Sequence, residues 1–263
     1  MRWRMSTKPY YQDAAVTIWH GDCRDMIGSI DFDALVTDPP YSSGGMVRGD
    51  RAGAGSGAKY VTTGSAAKEI PDFSGDNRDQ RGYAYWLTLW LSECLRIVKP
   101  QGVALLFTDW RQLPAPPDAL QAGGWVWRGI VPWYKPASRP QAGRFAASCE
   151  YVVWGSQGGM TTDLTSPCLP GFYQASPPRN REHVTQKPVE VMRELVKIAP
   201  PGGVVLDPFA GSGTTGVAAL IEGRRFVGVE QHKHFAAVAA ARLRETQGLA
   251  RDEQSSIDFG GVA

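Results

Sequence analysis

Val204-Val205-Leu206-Asp207-Pro208-Phe209-Ala210-Gly211-Ser212-Gly213-Thr214-Thr215-Gly216 is the stretch on which the fold turns. Its apolar start ending in an acid reads as a short buried strand, its glycines as a tight turn, and Thr214 onward as the opening of a helix. A second short strand follows, Arg225-Phe226-Val227-Gly228-Val229, closed by Glu230. Gly211, Gly213 and Gly216 match the G-x-G-x-x-G spacing that lets backbone approach a ligand, and Glu230 stands where an acid accepts from ribose hydroxyls. The same spacing also serves a merely tight strand-to-helix turn. A phosphate-cradling P-loop does not fit, because no lysine follows the glycines.

Far upstream, the apolar run Ala34-Leu35-Val36-Thr37 closes on Asp38-Pro39-Pro40-Tyr41. Two prolines fix φ and remove two backbone donors, which leaves the Asp38 and Pro39 carbonyls free to point outward as acceptors. A carboxylate and a ring face stand beside them. That set suits a flat, amine-bearing ring, gripped at its N–H bonds and stacked on the tyrosine. A strand-terminating turn with a surface tyrosine is the plain alternative.

The rest of the chain sets these two motifs in an alternating frame. Strands are expected at 17–21, 34–38, 103–107, 125–134 and 151–154, the last two as antiparallel neighbours. Helical spacing runs from Tyr83 to Val98, with Trp86, Leu87, Trp90, Leu91, Cys94 and Leu95 on a core-facing stripe. Further helices are expected over 187–198, 213–221 and 235–244, with a frayed tail over 247–263. Asp22 is placed to cap a brief helix. Alternating strands and helices imply an α/β fold, a doubly wound and mostly parallel sheet with ligand sites at the carboxyl ends of its strands. Both motifs sit at such ends.

Composition fits one domain over 1–263: 263 residues, 43% hydrophobic and 21% charged, are globular values. The four cysteines are widely spaced and read as reduced thiols. His232-Lys233-His234 reads as a solvated first helical turn rather than a metal site. No apolar stretch reaches membrane-spanning length, and the opening Met1-Arg2-Trp3-Arg4-Met5 lacks a signal-peptide core, so the expected compartment is the cytoplasm. A net charge of +2 does not announce nucleic acid. Its distribution does: from Leu120 to Cys149 there is no acid, while Arg128, Lys135, Arg139 and Arg144 alternate with aromatics, as in a groove for phosphates and bases. Trp125 and Trp127, two apart, read as core. The segment 42–80 is rich in Gly, Ser and Ala and leaves directly from the Asp38 ledge. Its Arg48, Arg51 and Lys59 suit a mobile loop closing over nucleic acid, or a passive insertion.

The two motifs together resemble the amino-group DNA methyltransferases, in the permuted group whose D-P-P-Y precedes F-x-G-x-G. Further matching stretches occur in the same order. His20-Gly21-Asp22-Cys23 is similar to that family's G-D turn, and Arg96-Ile97-Val98-Lys99-Pro100-Gln101-Gly102 to its R-x-L-K-P-G-G, with Gln101 in place of a glycine. Trp133-Tyr134-Lys135 is similar to its W-x-K, and Gln186-Lys187-Pro188 to its T-Q-K-P. The resemblance implies a Rossmann-like methyltransferase fold with an antiparallel edge strand and S-adenosyl-L-methionine as cofactor. It implies Asp38, Pro39, Pro40 and Tyr41 as the catalytic ledge. It assigns Gly211 and Gly213 to the methionine-adjacent turn, Glu230 to the ribose, Phe209 to the adenosyl portion and Asp207 to the methionine amino group. Lys187 would meet the cofactor carboxylate and Asp22 the adenine.

The implied substrate is double-stranded DNA, with the exocyclic N6 of a flipped adenine as target, since the Asp-led ledge goes mostly with adenine. N4 of cytosine is the alternative, and a catalytically silent DNA-binding partner is another. Arg48, Arg51, Lys135, Arg139 and Arg144 are the candidate DNA contacts, and 155–182 is the short candidate target-recognition region. A homodimer and a cognate restriction endonuclease are further partners of such enzymes. A dehydrogenase would account for the glycines and Glu230 but not for the ledge. Related glutamine-amide and RNA-base enzymes generally place the glycine turn first.

Overall fold

The computed structural model describes residues 8–26, 30–41, 78–136, 142–143, 145–160, 168–178 and 187–259. Their strands are β1 (Tyr11–Gln12), β2 (Val16–His20), β3 (Phe32–Thr37), β4 (Val98–Thr108), β5 (Val126–Tyr134), β6 (Cys149–Ser156), β7 (Tyr173–Gln174), β8 (Val204–Asp207) and β9 (Arg225–Glu230). The helices are α1 (Cys23–Met26), α2 (Gln80–Ile97), α3 (Ala115–Ala122), α4 (Val189–Val196), α5 (Thr214–Ile221) and α6 (Lys233–Phe259). One sheet of nine strands runs β1-β2-β9-β8-β3-β4-β6-β5-β7. Its centre, β2-β9-β8-β3-β4, is parallel. β1 is an antiparallel edge, and β6 runs against both β4 and β5.

The central strands are apolar on both faces because both faces are covered. On β3 and β4, Ala34, Val36, Val103, Leu105 and Phe107 join α4, α5 and α6 on one side. The alternate residues Leu35, Ala104 and Leu106 join Tyr83, Leu87 and Trp90 of α2, and α3, on the other. That arrangement is the doubly wound sandwich read from the sequence. The Asp79 carboxylate caps α2 by accepting from Gly82 N at 2.7 Å. Gln101, which stands for the family's glycine, keeps the left-handed backbone the turn demands, at φ 66°.

Four expectations are corrected. α6 does not end at Arg244 with a frayed tail after it, but continues to Phe259. Leu249, Ala250, Arg251, Glu253 and Gln254 favour helix, and Gly248 alone does not stop it. Lys187 lies outside α4, whose cap is Pro188, because the residue before a proline is pushed away from helical backbone. Trp127 is not core: it is 43% exposed, while Trp125 is buried with Nε1 donating to Leu91 O at 3.0 Å. Val126, Trp127 and Arg128 at the start of β5 are all exposed, so neither face of the strand is covered there. Within 155–182, where no strand is expected from the sequence, Tyr173–Gln174 form β7 beside Trp133 and Tyr134. The stretch 42–77 lies outside the described residues.

Candidate active site

β8 and β3 are neighbours, so the glycine turn and the Asp38 ledge emerge at the same sheet edge. A buried carboxylate joins them. Asp207, 2% exposed, accepts from Thr37 Oγ1 at 2.6 Å, Thr215 Oγ1 at 2.6 Å and Phe209 N at 3.0 Å. One side chain thereby ties the end of β3, the end of β8 and the first turn of α5. Burial pushes its pKa up to about 6, against the pull of these bonds.

Beyond Asp207 the chain turns through Gly211 at φ 51° and Gly213 at φ 80°, the latter capping α5. The glycines do different work. A Cβ on Gly213 would sit 3.0 Å from Ala239, and one on Gly216 would lie 2.6 Å from the Phe226 ring. A Cβ on Gly211 would find only Phe209 O, at 4.0 Å, so this turn has an open side. Arg242 of α6 fastens the turn from behind, donating to Ser212 O at 2.6 Å and lying 3.2 Å from Thr214 Oγ1.

At the end of β9, Glu230 accepts from Gly211 N at 2.9 Å and from His232 N at 2.7 Å. The Gln231 N–H is a third backbone donor, which leaves one of the carboxylate's four lone-pair sites open. Burial raises its pKa, and the backbone donors resist that rise. Gly21 N donates to the backbone carbonyl of Glu230 at 3.0 Å, which brings the turn that carries Asp22 to the end of β9. Asp22 itself accepts from Arg24 N at 3.0 Å, capping α1, and pairs with the Arg24 guanidinium at 2.7 Å. The Phe209 ring closes the turn's other flank, with centroids 5.3 Å from Trp86 and 5.3 Å from Trp90.

The ledge is wired into a charge cluster. The Tyr41 hydroxyl donates to Asp38 Oδ1, and the Lys187 ammonium lies 2.5 Å from Asp38 Oδ2. Lys187, 6% exposed, reaches Glu150 Oε2 at 3.4 Å, and Lys135 holds Glu150 Oε1 at 2.9 Å. Burial raises the Asp38 pKa, with Lys187 opposing and Glu150 reinforcing the rise. Burial would also raise Glu150, but Lys187 and Lys135 draw it below the ordinary range. Tyr41 is driven well up, by burial first and then by the two carboxylates.

The structure thus brings together Asp38, Tyr41 and Lys187, and beside them Asp207, Phe209, Gly211, Gly213 and Glu230. Lys187 does not stand free to meet a cofactor carboxylate, as the sequence led one to expect; two acids of the chain already hold it. Lys135 points its ammonium at Glu150, so a DNA phosphate would have to compete with that carboxylate. Arg48, Arg51, Lys59, Arg139 and Arg144 lie outside the described residues. Sequence reasoning missed Glu150, Thr37, Thr215 and Arg242. Glu150 left one trace, as the first acid after the acid-free stretch.

A family described as DNA methylase, of the N6 and N4 methyltransferases, matches residues 32–241. Among individual proteins, the chain is 26% identical over 264 residues to the type II methyltransferase M2.DpnII of Streptococcus pneumoniae, covering 91% of this chain and 93% of that one. Two solved structures share the architecture. M1.HpyAVI in complex with SAM superposes with a TM-score of 0.63 at 24% identity, covering 87% of this chain and 98% of that one. The cytosine-N4-specific PvuII DNA methyltransferase gives 0.67 at 17%, covering 91% and 90%. Because the matched span runs from β3 through Glu230 and so takes in both the ledge and the glycine turn, the chain belongs to the N6/N4 DNA methylase family.

Proposed function

We propose that this DNA methylase transfers a methyl group from S-adenosyl-L-methionine to the exocyclic N6 of an adenine in double-stranded DNA, with the base turned out of the helix. One observation carries the reading: Thr37 and Asp207, bonded across 170 residues of chain, hold the Asp38 ledge against the glycine turn. The residues present fit the cofactor. Gly211 opens on free space, Glu230 keeps a lone-pair site for a ribose hydroxyl, and Phe209 offers a ring to the adenosyl portion. When bound, the cofactor supplies an activated methyl group on a positively charged sulfur.

An exocyclic amine is a poor nucleophile because its lone pair is delocalised into the ring. Asp38 and the Pro39 carbonyl accept from its two N–H groups, favour a pyramidal nitrogen and aim the lone pair. Positioning is then the main contribution. The Asp38 carboxylate stabilises the positive charge that grows on nitrogen and takes up the proton the nitrogen releases. Extruding the base costs a few kcal/mol, and stacking on Tyr41 returns roughly 1–3 kcal/mol. Adenine is favoured over cytosine because an Asp-led ledge accompanies adenine in the family resembled. Regions 42–80 and 155–182, with Arg48, Arg51, Arg139 and Arg144, are the proposed DNA-facing parts. A second copy of the chain and a cognate restriction endonuclease are proposed partners.

The test is label transfer from S-adenosyl-L-methionine to unmethylated genomic DNA, followed by nucleoside mass spectrometry. N6-methyladenine is the expected product. N4-methylcytosine would overturn the base assignment and keep the chemistry. Cofactor binding without transfer would point to a silent DNA-binding role.

A further inference from the structure

We propose that Glu150 is a positioning residue for methyl transfer: it is the acceptor to which Lys187, or the Tyr41 hydroxyl, passes when the target amine takes its place on Asp38. The inference rests on the methyltransferase reading above and says how that site is opened. Both oxygens of Asp38 are engaged, Oδ1 by Tyr41 and Oδ2 by Lys187 at 2.5 Å. An incoming amine donates one N–H to this carboxylate and the other to the Pro39 carbonyl, so the donor holding the oxygen it meets has to give way. Lys187 is 6% exposed and cannot withdraw into water, and a buried ammonium with no acid to pair with is strongly disfavoured. Its next acceptor is already at hand. Glu150 Oε2 lies 3.4 Å from the ammonium and 3.5 Å from the Tyr41 hydroxyl, so both occupants of Asp38 converge on this one oxygen.

The receiving carboxylate is held still. Glu150 is the second residue of β6, paired in register with Trp133, and Lys135 fixes its other oxygen at 2.9 Å. Charge favours the exchange at the moment it is needed. With Lys187 on Asp38 the ledge is neutralised. With Lys187 on Glu150, the Asp38 charge faces the nitrogen as that atom becomes positive. No bond is made or broken in the exchange; only hydrogen-bond donors change partners.

The experiment is single-turnover transfer to DNA by the full chain, wild type against Glu150→Gln, with cofactor affinity and the pH profile measured on the same preparations. Glu150→Gln should slow transfer by about tenfold or more, since each 1.4 kcal/mol is a factor of ten, and leave the cofactor Kd within about twofold. The charged and titratable groups facing Asp38 are Lys187, Glu150 and the neutral Tyr41 hydroxyl, with Asp207 and Lys135 behind them. Removing the Glu150 charge leaves Lys187 to Asp38 alone, which weakens Asp38 as a proton acceptor. The acidic limb of the rate profile should therefore move to lower pH. Glu150→Asp, which restores the charge, should recover part of the rate. An unchanged rate and limb would overturn the inference. So would a parallel fall in rate, cofactor affinity and melting temperature with the limb unmoved, which is the mark of a merely structural residue. Transfer by the wild type separates the two levels: an active wild type with an indifferent variant overturns only the role of Glu150, and an inactive wild type overturns the methyltransferase reading itself.

Discussion

At the scale of single residues, the site divides into groups that face the reaction and groups that hold them. In the proposed mechanism Asp38 is of the first kind. Asp38→Ala should abolish transfer while calorimetry still finds cofactor binding, because Glu230 and the glycine turn are untouched; loss of both together would refute that division. Tyr41→Ala should likewise lower the transfer rate more than cofactor affinity. Asp207 is of the second kind, and its burial has a signature in pH. Its carboxyl is raised from 3.8 to about 6 in the folded protein. A raised carboxyl contributes stability that is fully present below 3.8 and lost as pH rises through about 6. Asp207→Asn, which stays neutral throughout, should gain on the wild type across that interval, by roughly 3 kcal/mol at most. Urea unfolding at both ends of the interval measures the gain, and a pH-independent difference between the two proteins would contradict it.

Among elements, the strand–turn–helix from β8 to α5 gives its glycines different surroundings, one walled by packing and one open. Gly216 presses α5 onto Phe226 of β9 and Leu243 of α6, where a Cβ would come within 2.6 Å and 2.8 Å. Gly216→Ala should therefore cost about 1–3 kcal/mol by overpacking, seen as a lower melting temperature. Gly211→Ala meets no such wall, and its cost is the left-handed strain of about 1–2 kcal/mol. Its larger effect should be on cofactor affinity, because the new methyl group enters the open side of the turn. If the two variants prove alike in stability and in affinity, the glycines do not have separate tasks. This motif was legible because strand, turn and helix are written in thirteen consecutive residues. Asp38-Pro39-Pro40-Tyr41 was legible for the same reason. Glu150 was not, because its meaning comes from Lys187 and Lys135, which reach it from other elements. Trp127 misled because alternation says which face a residue shares and not whether that face is covered. The length of α6 was misjudged because a lone Gly248 and a polar composition do not by themselves stop a helix.

For the whole molecule, the informative feature is the order of strands. β9 and β8, near the end of the chain, are inserted between β2 and β3, near its beginning. Their residues Val205, Leu206, Phe226 and Val229 are core on both faces, and α5 and α6 cover one of them. A fragment of residues 1–203 would leave β2 and β3 with open edges and half the sandwich missing. It should show no cooperative unfolding by circular dichroism and should be digested throughout by a protease; a two-state melt would refute this. The doubly wound layout itself was readable from alternating strand and helix patterns. That the last strands close the gap between the first was not, since pairing across the sheet leaves no local mark.

That insertion has a consequence in the order of synthesis. Tyr41 leaves the ribosome some 160 residues before β8, roughly 10–30 s earlier at the usual pace of translation. Through that interval the nascent chain carries its acidic ledge with neither Asp207 to anchor it nor a glycine turn to load. The enzyme is thus assembled from the outside inward, and its last strands act as a keystone: until translation delivers them, no partly made chain can mark a genome.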